Sequence, residues 1–219
     1  MRSRSASNGT AAEYAILAIA CAVLFLRSYK DSLERPLWTD EALTAFAVTD
    51  DSLPHMLQGL HDETNALPPL SLAIGWFFTR IFGDSTFALR LPSVLFACLA
   101  IITLWWSLRR YVNRWMATWC AVFLPLASPH FLNHASEARC YSLYFTSYLM
   151  AVALYLRSAE SRSCHGTIAW MSTLVHGLLV AAHYVGGLLS AMLATTALLE
   201  ATAPPRGPAE RLPSPEQGI

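Results

Sequence analysis

Two short segments of this chain carry side chains whose types and spacing could do chemistry. Pro36-Leu37-Trp38-Thr39-Asp40-Glu41-Ala42 sets two adjacent acids beside an indole. Adjacent carboxylates disfavour simultaneous ionisation when desolvated, so one can be tuned toward a general base while the other serves as ligand or support. The simpler alternative is that Thr39 or Asp40 caps a short helix whose positive end welcomes Glu41. Ser136-Glu137-Ala138-Arg139-Cys140-Tyr141 places a Glu and an Arg at the mouth of an apolar run. Arg139 offers a planar fork of donors suited to a phosphate or carboxylate. A weak surface pair with Glu137, or a lipid-headgroup contact, accounts for it equally well.

The histidines give a third cluster. His130 and His134 stand four apart with Glu137 three further on, which lines up three metal ligands if one helix continues that far. Pro129 argues against a continuous helix, so the default is a set of interfacial polar residues. A divalent metal stays an alternative, with no metal site assigned and no cofactor firmly implied. His183 and Tyr184 either line the same cavity or anchor the chain at a membrane interface by their amphipathic rings. Trp105, Trp106, Trp115 and Trp119 are most simply an aromatic belt.

The elements that must position these groups are apolar. Of 219 residues, 54% are apolar and only 14% charged, against about 25% charged in soluble domains. The mean hydropathy is +0.38, and the reading is an integral membrane protein. Fifteen basic residues balance fifteen acids, so nothing in the charge suits nucleic acid. The arginine-heavy basic set, with Lys30 the one lysine, reads as a coding habit. Five cysteines form no disulfide framework or metal knuckle.

Residues 1–10 are polar, and Ala11 to Leu26 reads as an uncleaved anchor with Arg2 and Arg4 in the cytoplasm. The outer loop 28–67 holds most of the acid, with short helices expected at Glu41 to Val48 and Leu53 to Leu60, the second capped by Asp50, Asp51 or Ser52. Further apolar runs are Pro69 to Phe82, Phe87 to Leu108, Trp115 to Leu132, Tyr141 to Leu156 and Ile168 to Leu199, the last divided near Gly186-Gly187. If residues 69–82 crossed the membrane, Arg109, Arg110 and Arg114 would lie outside, against the positive-inside rule. An interfacial or reentrant helix there puts them inside with Arg157, Arg162, Arg206 and Arg211. The expectation is therefore an all-α, polytopic membrane helical bundle of about six spans. The transmembrane domain covers 11–200 and a Pro-rich disordered tail 201–219. This topology brings Asp40, Glu41, Glu137 and Arg139 to one non-cytoplasmic face.

The order of the motifs resembles a known family. A first anchor, Trp38-Thr39-Asp40-Glu41, Leu67-Pro68-Pro69-Leu70, Phe82-Gly83-Asp84 with Ala88-Leu89-Arg90-Leu91-Pro92-Ser93, Ser136-Glu137-Ala138-Arg139-Cys140-Tyr141-Ser142 and finally His183-Tyr184 follow one another. Together, from about residue 13 to 200, they look like the amino-terminal half of GT-C glycosyltransferases. The group resembled is that of the protein O-mannosyltransferase-like enzymes and the lipid A aminoarabinose transferases.

The resemblance implies a cell-membrane transferase, in a bacterium of the inner membrane, moving a sugar from a polyprenyl-phosphate donor. The acceptor hydroxyl belongs to a lipid, glycan or protein. Asp40 takes the place of the family's proposed base with Glu41 beside it, and Glu137 and Arg139 belong near the donor phosphate. Arg139 and Arg90 would stabilise the leaving phosphate, and one direct displacement would invert the anomeric centre. Two departures qualify this. Leu67 stands where the family often has His before the Pro-Pro pair. The chain is also about half the length of such enzymes, so the competing expectations are a non-catalytic remnant or a subunit completed by a second-half polypeptide. A small transporter is the third reading, but few ionisable residues lie deep in the spans, His176 being the clear candidate.

Overall fold

A computed structural model of the chain describes residues 2–61, 69–160 and 166–202. The Leu67-Pro68 step, Arg162 and the expected tail beyond Thr202 lie outside them. The described residues form helices joined by turns, the all-helical bundle that the apolar runs predict. In chain order they are α1 (Arg2–Glu34), α2 (Thr39–Val48), α3 (Leu53–His61), α4 (Pro69–Phe82), α5 (Thr86–Leu108), α6 (Arg114–Leu126), α7 (Pro129–Ala135), α8 (Tyr141–Glu160), α9 (Gly166–Ala182) and α10 (Tyr184–Thr202).

Among the described residues, two stretches are long and apolar enough to cross a membrane, Thr10–Glu34 of α1 and Thr86–Leu108 of α5. Helix α5 is the centre of the molecule, packed against α1, α4, α6 and α8. Its 23 residues make a rod of about 34 Å. Leu91, Val94, Ala97, Cys98, Ile101 and Trp105 of α5 meet Leu17, Ala20 and Leu24 of α1 and Ala117, Ala121 and Val122 of α6 in the main core. Alanines at these contacts let the helix backbones approach, as in membrane bundles where small residues line the interfaces. A second core, Ala151 and Leu154 against Val175 and Leu179, joins α8 to α9.

Local chemistry explains the boundaries. Ser85 Oγ accepts the Ala88 N–H at 3.2 Å and starts α5; Asn113 does the same for α6 through Met116 N–H at 2.9 Å. Gly83, with φ of +81°, ends α4 in the left-handed region that favours glycine. Ser52 caps α3, its hydroxyl accepting the His55 N–H at 3.2 Å.

Two apolar runs break differently from expectation. The run Trp115 to Leu132 stops at Leu126, because Ser128 caps a new helix through Phe131 N–H at 3.3 Å and Pro129 occupies its first turn, where a missing N–H costs nothing. The block Ile168 to Leu199 divides at His183 rather than at the Gly-Gly pair. There the His183 ring Nδ1 accepts the Val185 N–H at 3.1 Å. Gly186 serves the packing instead. A Cβ on it would lie 1.9 Å from the Leu179 carbonyl oxygen, so only glycine lets α10 start this close to α9.

The loop helices dock on α4. Val48, Met56 and Leu72 form a small core with Leu89 and Ala138. Thr79 donates its hydroxyl to the Val48 carbonyl at 3.0 Å, and the Trp76 indole N–H to the Asp50 carbonyl at 2.9 Å. Arg80 adds a further bond to Asp50 O. The C-terminal end of α2 is thereby fixed, which sets the direction of its N-terminal end.

Candidate functional site

The N-terminus of α2 carries the acid pair. Its first residue, Thr39, follows Trp38 in the cap position, with extended backbone dihedrals. Neither Thr39 nor Asp40 supplies the cap. Glu41, at the third helical position, reaches back to the Trp38 N–H at 3.4 Å, half of a capping box.

That bond is the weakest of Glu41's contacts. Its carboxylate has no exposed surface. It is gripped in a fork by Arg90 of α5, with Nε to Oε1 at 2.9 Å and a terminal nitrogen to Oε2 at 2.8 Å. The Ala138 N–H donates to Oε1 at 2.7 Å. Arg90 is 4% exposed and spends its remaining donors on chain ends: the Asp31 carbonyl at 2.9 Å, Arg35 O at 3.4 Å and Pro36 O at 3.5 Å. The Asp31 carbonyl also accepts the Arg35 N–H at 2.9 Å, so Arg90 adds a second donor to the last turn of α1. One buried ion pair thus ties together the end of α1, the start of α2, the early turns of α5 and the loop after α7. Fork-to-fork geometry with extra backbone donors is the arrangement in which a buried pair can offset its desolvation.

Asp40 behaves differently. Its side chain is 39% exposed, and Oδ2 meets Arg139 at 3.2 Å. The same guanidinium donates to the Asp40 carbonyl at 3.2 Å and lies 5.9 Å from the Tyr141 ring centre. Arg139 is 11% exposed, and its Nε is buried without a hydrogen-bond partner. Its own carbonyl accepts from Ser93 Oγ of α5 at 3.0 Å. The loop Ser136–Cys140 is therefore stitched at consecutive residues to α2, across 97 and 99 positions of sequence, and to α5, across 46. Burial pushes the Cys140 thiol up, with Arg139 opposing, which makes it an unreactive neighbour.

A cavity of about 250 Å³ opens beside the buried pair, lined by Arg35, Trp38, Glu41, Arg90, Ser136 and Glu137. Glu137 is held by the His134 ring at 2.9 Å. His134 and Tyr141 pack with ring centres 4.4 Å apart and planes tilted by 47°, and His183 comes in at 5.1 Å from Tyr144 and 6.3 Å from Tyr141. Tyr184 turns outward, 69% exposed. His130 borders a larger apolar groove with His134 and Tyr141. Helix α7 ends at Ala135, before Glu137, and among the described residues no three His, Cys, Asp or Glu side chains are grouped to hold a metal.

The structure thus gathers Asp40, Glu41, Arg90, Glu137 and Arg139 at one end of α5, brings His183 to their aromatic margin, and leaves Tyr184 outside. Arg35, Trp38 and Ser136 join as cavity walls. Trp38 and Ser136 stand in the two motifs that the sequence singles out, and Arg35 alone had no sequence signal.

Residues 66–205 match the family described as dolichyl-phosphate-mannose-protein mannosyltransferase. The match takes in Arg90, Glu137, Arg139, His183 and Tyr184 and begins after α2. No curated protein matches the chain, and no solved structure does. With a family match over more than half its length, and with apolar helices to agree with it, this chain is a membrane protein belonging to the dolichyl-phosphate-mannose-protein mannosyltransferase family.

Proposed function

We propose that the chain acts in glycosyl transfer from a polyprenyl-phosphate sugar to an acceptor hydroxyl, with Asp40 as general base. The family supports mannosyltransferase-like glycosyltransferase chemistry. The observation that carries the finer reading is the divergence of the two adjacent acids: Glu41 is sealed and fully hydrogen-bonded, whereas Asp40 keeps an exposed carboxylate edge beside a guanidinium.

An acceptor hydroxyl is a poor nucleophile until a carboxylate takes its proton. Asp40 is the acid of the pair with room to do so. As the sugar bond breaks, the lipid phosphate gains charge, and Arg139 stands within reach to stabilise it. A single displacement with no enzyme nucleophile inverts the anomeric centre. Glu41 and Arg90 are positioning residues in this scheme: they fix the N-terminus of α2 and the Ser136–Cys140 loop against each other. Trp38, Glu137 and Ser136 line the adjoining cavity and suit a sugar's hydroxyls. The acid-bearing end faces the non-cytoplasmic side, as the distribution of arginines favours.

The test is transfer by the purified full chain in lipid, supplied with polyprenyl-phosphate sugars, comparing Asp40→Asn with the natural protein. The expected loss is roughly 10²- to 10⁴-fold with an unchanged apparent Tm. Undiminished transfer by the variant would remove Asp40 as the base.

A further inference from the structure

The opposite end of α5 carries a second constellation. Arg90 and Arg109 stand 19 residues apart on this helix and its cap, a rise of about 28 Å, close to the roughly 30 Å of a bilayer's hydrocarbon layer. Near the Arg109 end, a groove of about 190 Å³ runs between α5, α8 and α9, walled by Ile102, Trp105, Trp106, Met150, Leu154 and Met171. Each of its two indoles carries a guanidinium on its face. Arg109 sits 4.7 Å from the Trp105 ring centre, and Arg157 sits 3.1 Å from that of Trp106.

The charge at this end is one-sided. Arg110 and Arg114 join Arg109 in the α5–α6 turn and Arg157 closes α8, against the acids Glu13 and Glu160. Glu13 has no exposed surface and is already opposed by Arg114 at 3.2 Å and Arg109 at 3.7 Å. Around the turn, Tyr111, Trp115 and Trp119 are 50%, 39% and 46% exposed, the amphipathic rings that favour headgroup depth.

From this juxtaposition of an apolar slot with a cationic, indole-bearing rim, we propose that the α5–α8–α9 groove holds an acyl chain of an anionic glycerophospholipid whose phosphate rests on Arg109 and Arg157. Basic pockets between membrane helices recognise lipid headgroups in this way, and the guanidinium fork matches a phosphate. A soluble phosphate would use the rim alone and leave the slot unexplained. A zwitterionic lipid would use the slot and gain little from the guanidiniums. The site lies a helix length from Asp40 and Arg139, so it extends the transfer reading without depending on it.

The full chain in mild detergent, titrated with phosphatidylglycerol or phosphatidylcholine and read by native mass spectrometry, tests the proposal. Phosphatidylglycerol is expected to bind at least about fivefold tighter, and Arg157→Gln to lower its affinity about fivefold, the scale of one basic residue at a lipid surface. Met171→Trp, which fills the slot, should weaken phosphatidylglycerol retention to a similar degree without lowering apparent Tm. Equal retention of the two lipids would overturn the anionic headgroup. Unchanged phosphatidylglycerol binding in Met171→Trp, or its full displacement by millimolar inorganic phosphate, would overturn the acyl-chain slot.

Discussion

The two ends of α5 each bury a glutamate against arginine, and they do it differently. Glu41 is held at 2.8 and 2.9 Å by a guanidinium that is itself 4% exposed, with a backbone N–H closing the set. Glu13 is equally inaccessible, yet neither of its oxygens has a hydrogen-bond partner, and its arginines are 36% and 38% exposed. Opposite charge is common to both ends; satisfied hydrogen bonding is not. The first end is a fixed joint, because removing either member strands a buried charge. The second is a loose association whose arginines stay partly hydrated and able to meet another anion.

The largest effect should come from Glu41→Ala, which leaves Arg90 buried without its counter-ion. We expect a loss of about 3–5 kcal/mol, seen as a steep fall in apparent Tm in detergent. Replacing both partners by apolar side chains, Glu41→Leu with Arg90→Met, should recover most of that loss. A double variant as unstable as the single one would show that the pair is not the joint. Next comes Arg139→Lys, which keeps the charge but cannot span the Asp40 carboxylate and carbonyl together. Stability should change by about 1 kcal/mol or less, while sugar transfer in the reconstituted assay drops roughly tenfold, the value of one charge-assisted contact.

At the other end, Glu13→Gln should shift stability by less than about 1 kcal/mol; a fall as deep as that of Glu41→Ala would erase the distinction between the two ends. The smallest effect belongs to Asp50, whose carboxyl is held below the usual range by the Ser52 N–H first and the His55 ring second. A depressed carboxyl adds stability above its unfolded value near 3.8 and loses it as pH falls through the lower folded value. The apparent Tm difference between the natural chain and Asp50→Asn should therefore shrink below about pH 4.

Much of this arrangement can be read from the chain alone. Apolar runs and caps locate α2, α3, α4 and α5 within a residue or two at both ends, since burial and capping act over a few neighbours, whereas α1 and α8 run well past their apolar runs. Counting expected passages by the placement of arginines sets Asp40 and Arg139 on one expected face, and the structure brings the two side chains to 3.2 Å. The motif order points to the family that the match over residues 66–205 then shows. What the sequence hides is the division of labour. Nothing in Asp40-Glu41 says which acid is sealed, because that depends on Arg90, forty-nine positions away. Nothing in Ile168 to Leu199 reveals that His183 makes the break while Gly186 makes the close approach, since the Leu179 carbonyl creates that demand only once the helices have packed. Glu13 reads as one acid at the edge of an anchor, and its arginines come from a turn nearly a hundred residues on.

The start of α2 has one more consequence. A helix advances about 100° with each residue, so two consecutive side chains cannot face the same way, and the segment from Trp38 to Glu41 works as a phase setting. With α2 clamped at its far end by Thr79, Trp76 and Arg80, inserting one residue between Glu41 and Val48 could not be absorbed by sliding. It would rotate an acid out of Arg90's grasp and carry another away from Arg139. Exchanging the two acids, Asp40→Glu together with Glu41→Asp, would keep composition and charge, and would still leave each carboxylate at the wrong reach for the guanidinium it has to meet.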